Sequence, residues 1–192
     1  MRNLQLAYEI LKIYEDFNKT EMTLLKLQKL AYYSYAIALA YDYDEELEGI
    51  EFEAWKTGAV NRKIHCTFFD ARDPFATIEA THPKFETIKQ LDPEATFSKP
   101  LYDVITAVVD VYGRLSPKEL VNEICNETLY KKTAKRRLKV FNQDELKSYF
   151  KKKSHLPLNL FNANSYLLDN IPIVSFDILE LANYLKTQSQ SV

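Results

Sequence analysis

The sequence predicts a mainly helical α+β fold: a single compact helical domain with short strands and a C-terminal extension. Three observations carry this expectation. Apolar residues recur at helical spacing through most of the first 150 positions. Period-two alternation is confined to short stretches, the clearest setting Ile50, Phe52 and Ala54 against Glu51, Glu53 and Trp55. Two helix starts carry capping boxes: Ser116 with Pro117 and Glu119, and Asn142 with Glu145.

Taken in order, the first helix spans residues 3–18, with Leu4, Ala7, Tyr8, Leu11 and Tyr14 inward. Thr23 is the N-cap of an amphipathic second helix that runs to about Tyr41. Leu24, Leu27, Ala31, Tyr35 and Ala38 form its apolar stripe, widened by Leu30 and Ser34. Lys26, Lys29 and Tyr33 fall off the centre of that stripe. An acidic turn, Asp42-Tyr43-Asp44-Glu45-Glu46, follows. A half-exposed strand occupies 50–55, and Gly58 supplies the backbone freedom for a turn. Further on, the pattern predicts a helix over 59–69, a loop over 70–74, a second strand over 75–81 and a short helix over 83–91. The helix over 101–113 points Leu101, Ile105, Val108, Val109 and Tyr112 inward, with Gly113 placed to cap it. The two capped helices come next, with Leu115 and Leu120, then Phe141 and Leu146, as hydrophobic staples. After Lys153 the charges thin out and turn formers such as Pro157 and Pro172 accumulate. There the pattern suggests a strand over 171–174, a helix capped by Ser175 and a polar tail. Residues 1–153 are therefore read as one domain and 154–192 as an extension packed on it.

Composition excludes several classes. Hydrophobic residues make up 46% and charged residues 27%, the profile of a folded soluble chain. A net charge of −2 creates no global field toward nucleic acid or a membrane. No apolar run approaches the roughly 20 residues of a membrane span. The charge is uneven, however: residues 1–60 hold 11 acids and 6 bases, and residues 117–153 hold 5 acids and 11 bases. An acidic side and a basic side are expected. Cys66 and Cys125 are too few for a disulfide framework and read as free buried thiols in a reducing cytoplasm.

Catalytic chemistry finds little support. The chain has only three glycines, so no glycine-rich phosphate loop can be built. His65, His82 and His155 are not spaced as paired ligands, and a zinc site would have to gather ligands from distant segments. No metal or cofactor is expected. Adjacent His65 and Cys66 would diverge by about 100° on a helix, poor geometry for proton transfer. Glu51 and Glu53 share a strand face, where solvated charge is the ordinary reading. The chain reads as a binding module, not an enzyme.

Candidate binding residues fall in three places. Gln28 and Lys29 are polar groups on an apolar helix, open to either buried hydrogen bonding or partner contact, and Tyr32 lies beside them. Trp55, Lys56 and Gly58 form a turn in which Trp55 serves either packing or a partner. The run 131–139 carries six positive side chains in nine residues, among them Lys131, Lys135, Arg136 and Arg137. It suits an acidic protein surface or a phosphate backbone. With only Tyr130 nearby to stack on bases, protein is favoured over nucleic acid.

Four segments in order resemble the SocA-like, or Panacea, antitoxin domain family. They are Leu25-Lys26-Leu27-Gln28-Lys29-Leu30 with Tyr32 and Tyr33, Glu53-Ala54-Trp55-Lys56-Thr57-Gly58-Ala59-Val60, Tyr112-Gly113-Arg114-Leu115-Ser116-Pro117-Lys118-Glu119-Leu120, and Glu145-Leu146-Lys147-Ser148-Tyr149-Phe150. Two departures stand out. Ala59 replaces a proline, and Cys125-Asn126-Glu127-Thr128-Leu129-Tyr130 replaces a His-x-Glu-x-Pro-Trp-like stretch. The resemblance implies a helical antitoxin, without enzymatic activity, that binds and neutralises a protein toxin encoded beside it. Delivery of a toxin to a protease, as an adaptor, is the alternative it implies. A phage-associated regulator that binds nucleic acid through residues 131–139 is a further alternative.

Overall fold

The computed structural model describes residues 2–17, 21–73, 76–86 and 97–152. Among them are seven α-helices: α1 (Arg2–Asp16), α2 (Leu24–Ala40), α3 (Arg62–Phe68), α4 (Lys99–Tyr112), α5 (Pro117–Asn126), α6 (Thr128–Ala134) and α7 (Gln143–Phe150). One antiparallel hairpin, β1 (Glu53–Trp55) and β2 (Gly58–Val60), lies between α2 and α3. The mainly helical class with a small β component is what the sequence predicts.

Helix α2 is the axis of the molecule. It packs against α1, α3, α4, α5, α7 and β2. Every one of its residues except Leu25 is buried, so it is not the amphipathic helix the sequence suggests. A helix surrounded on all sides must be apolar or internally satisfied all round. Ala31, Ser34, Ala36, Ala38 and Ala40 keep it thin enough for neighbours to close in. Helix α1 likewise buries a wider face than expected. Leu6, Ile10 and Ile13 join Ala7, Leu11 and Tyr14, while Leu4 and Tyr8 are only half-buried. Its contacts with α2, α3 and α4 explain the width.

The helix starts follow their capping chemistry. Thr23 Oγ1 accepts from Lys26 N–H at 3.3 Å, and Asn142 Oδ1 accepts from Glu145 N–H at 2.9 Å. Ser116 and Glu119 close a reciprocal box, at 3.2 and 2.8 Å. Gly113 does end α4, but in right-handed backbone (φ −64°), with its N–H bonded to Val109 O. A left-handed cap is therefore not its role.

Other expectations shift. The helix predicted over 59–69 begins only at Arg62, because residues 58–60 pair with β1 and Asn61 takes the N-cap. Of the strand predicted over 75–81, the described residues 76–81 show a single bridge from Thr77 to Thr23, supported by Ile78 N–H to Met22 O at 2.8 Å. Of the helix predicted over 83–91, a short 3₁₀ turn at Pro83–Phe85 is observed, and residues 87–91 lie outside the described residues. The extension expected over 154–192 lies outside them as well. The acidic and basic ends of the sequence are partly knitted together. Lys147 reaches Asp44 at 2.6 Å and Asp42 at 2.8 Å, and Lys151 reaches Asp42 at 2.8 Å.

Candidate functional site

The hairpin is held from below by α2 and from the side by a segment the sequence did not assign to a strand. Its register pairs Glu53 with Val60, Ala54 with Ala59 and Trp55 with Gly58, leaving Lys56 and Thr57 at the tip. Gly58 sits at φ +92°, a conformation that strains any side chain. A Cβ there would come within 3.2 Å of Lys29 Nζ. On the other edge of β1, Ala54 N–H donates to Lys139 O at 2.6 Å and Phe141 N–H donates to Phe52 O at 2.9 Å. Residues 139–141 thus form a third short rung beside the hairpin, with Val140 opposite Glu53.

Two polar side chains of α2 clamp the hairpin from inside. Lys29 is fully buried, and its Nζ donates to Ala59 O at 2.7 Å. Burial pushes its pKa down to about 7, and nearby Cys125 opposes that shift. Gln28 grips the backbone of Asn61 from both directions: its Nε2 donates to Asn61 O at 3.1 Å, and its Oε1 accepts from Asn61 N–H at 2.7 Å. Asn61 in turn caps α3 by accepting from Ile64 N–H at 3.0 Å, and its Nδ2 donates to Glu51 O at 2.9 Å. One asparagine therefore joins α2, the hairpin and α3. Its signal in the sequence was an N-cap residue just after the turn.

A third clamp joins α2 to the α5–α6 corner. Tyr32, fully buried, donates its hydroxyl to Glu127 Oε2 at 2.7 Å, and Tyr33 bonds the same carboxylate. Burial raises Glu127 to about 7, the two hydroxyl bonds pull it down, and Glu123 pushes it up again. Tyr33 stacks on Tyr112 with ring centroids 4.0 Å apart. The stretch that departs from the family pattern therefore occupies a structural corner. Glu127 anchors α2, and Tyr130 donates its hydroxyl to Trp55 O at 2.6 Å.

The predicted site residues thus divide into two groups. Gln28, Lys29, Tyr32 and Gly58 are buried and fix the hairpin; in this conformation they offer a partner no surface. Trp55 is half-buried, and Lys56, Lys131, Lys135 and Arg137 are exposed. Arg136 turns to Glu145, its Nη2 donating to both carboxylate oxygens at 2.7 Å, and Lys132 joins it at 3.0 Å. Glu53 is not merely a solvated charge. Arg62 and Trp55 Nε1 both donate to it, at 2.7 and 2.8 Å, and the Arg62 bonds hold its carboxyl below the usual range. Sequence reasoning did not identify the aromatic run that leaves Trp55. His65 meets Trp55 edge-on at 5.0 Å and stacks on Phe69 at 4.9 Å. Cys66 is exposed, not buried, because Ile64 is the only residue α3 buries.

The described residues hold no group of three or more His, Cys, Asp or Glu side chains that could bind a metal ion. No helix among them is long and apolar enough to cross a membrane. The fold and site define a helical scaffold that presents a hairpin flanked on its β1 edge by residues 139–141. The family profile described as "Antitoxin SocA-like, Panacea domain" matches residues 27–131, more than half of the chain. The protein belongs to that family. Searches of curated proteins and of solved structures returned no match.

Proposed function

We propose that this protein is an antitoxin that neutralises a cognate protein toxin by direct binding, without chemistry of its own. Membership of the SocA-like antitoxin family is the observation that carries this reading. The arrangement of the candidate site supports it. Lys29 and Glu127, two groups whose pKa values burial moves to about 7, are engaged in holding the scaffold. The surface above them is a fixed platform, which limits the entropy lost on binding. A stable complex needs roughly 1,200–2,000 Å² of total interface with a few anchoring side chains. We take the encounter to occur in the cytoplasm, where two free cysteines stay reduced.

Co-expression with the product of the adjacent gene tests the proposal. That product alone is expected to arrest growth, and growth is expected to resume when this protein is present. A product that is harmless alone, or an arrest that this protein does not relieve, counts against it. Toxin half-life then separates blocking from delivery to a protease. Direct binding leaves the toxin stable, whereas an adaptor shortens its life.

A further inference from the structure

We infer that the face formed by the hairpin tip and residues 135–139 docks an acidic protein surface that carries an apolar cleft, and that the toxin seats there. This rests on the antitoxin reading above and adds the place and the chemistry of contact.

The face is rich in exposed cations. Lys56, Lys131, Lys135, Arg137 and Lys139 are all exposed. Three carboxylates of this region are already engaged. Arg62 and Trp55 hold Glu53, Lys132 and Arg136 hold Glu145, and Glu127 bonds Tyr32 beneath the surface. None of those five cations is ion-paired among the described residues. Complementary charge on a partner would speed encounter and set orientation.

The face also has an apolar centre. Leu138 is 77% exposed, more than any other large hydrophobic side chain among the described residues. The next residue, Lys139, lines a shallow hollow with Glu53, Ala54, Trp55, Lys56 and Thr57. The aromatic run continues the apolar surface through His65 to Phe69, itself 48% exposed. Burying such side chains in a partner is the main source of binding energy available here.

Both halves of the face are held in place. Backbone bonds tie residues 139–141 to β1, Tyr130 fixes the Trp55 carbonyl, and the Arg136–Glu145 pair anchors the turn before Leu138. Nucleic acid fits less well. The Arg62 guanidinium lies 5.7 Å over the Trp55 ring and His65 meets the same ring, so it is not an open platform for a base. A leucine at the centre gains nothing from a phosphate backbone.

The test uses the full chain and the purified product of the adjacent gene, with binding kinetics followed at about 0.05 and 0.3 M salt. The variants are Leu138→Asp and the double reversal Lys135→Glu with Arg137→Glu. Lys118→Glu, exposed on α5, is the control. Leu138→Asp should weaken binding at least about tenfold, as loss of a central anchor does. The double reversal should slow association by about tenfold and remove most of its salt dependence. Thermal unfolding should be unchanged, because the substituted side chains lie outside the core. If the product binds wild type and both variants alike, the docking face is wrong while the antitoxin reading stands. If the product neither binds nor arrests growth, both fail. Self-association of the protein that Leu138→Asp abolishes, or salt-sensitive binding of a DNA duplex that the double reversal abolishes, would also overturn the inference.

Discussion

Lys29→Met should flatten the pH dependence of stability above neutrality. Lys29 is fully buried, and its folded pKa is about 7 against an ordinary value of 10.5. Between those values the unfolded chain holds a proton that the folded chain has released. Stability therefore rises with pH across this window, is complete above the unfolded value, and is lost as pH falls through about 7. The full difference is on the order of 5 kcal/mol, and about 3 kcal/mol of it should appear between pH 7 and 9.5. Against a typical total of roughly 5–15 kcal/mol, that is readily measured. Urea titrations at half-unit pH steps would give the curve. Wild type should gain stability over this range and Lys29→Met should stay nearly level. At pH 9.5 the variant should be the less stable protein, because the Ala59 carbonyl has lost its donor at 2.7 Å. If the two curves run parallel, the buried ammonium is not the titrating group and the account of the clamp is wrong.

Glu127 should act in the opposite direction. Its folded pKa is raised to about 7, so the stability it contributes is complete below its ordinary value and is lost as pH rises through 7. Glu127→Gln should remove a fall on the order of 3 kcal/mol between about pH 4.5 and 7, as read by the same titrations. Together the two groups give wild type a stability minimum near neutral pH. Gln28→Ala should cost about 1–3 kcal/mol in denaturant titrations, because it strands the Asn61 N–H, while Asn61 O keeps the His65 N–H at 3.0 Å. Gly58→Ala forces an L side chain into φ +92° against Lys29 and should lower stability by about 1–3 kcal/mol in thermal melts. Ser116→Ala should cost only about 1 kcal/mol and leave binding of the adjacent gene's product unchanged in calorimetry.

Much of the scaffold could be read from short-range chemistry. Thr23, Ser116 and Asn142 satisfy their own helix starts within three residues, so their role does not depend on the rest of the fold. Gly58 was legible for the same reason. What could not be read were groups satisfied across long separations. Lys29 and Gln28 sit on an apolar helix, and their backbone partners lie 30 and 33 positions away, on the hairpin and on the residue that follows it. Nothing local separates a buried clamp of that kind from a contact left open for a partner. Residues 139–141 were hidden similarly, because three residues show too little alternation to mark a rung. Leu138 carried the only local hint: one leucine in a run of cations, with no helical register to bury it.

A protein toxin that this chain silences by binding must form a complex with it in solution. Calorimetric titration of the purified adjacent-gene product into the full-length protein, run beside the growth assay, tests it most directly. Saturable binding is expected, together with recovery of growth at matching expression. No heat of binding from a product that nonetheless arrests growth would contradict it.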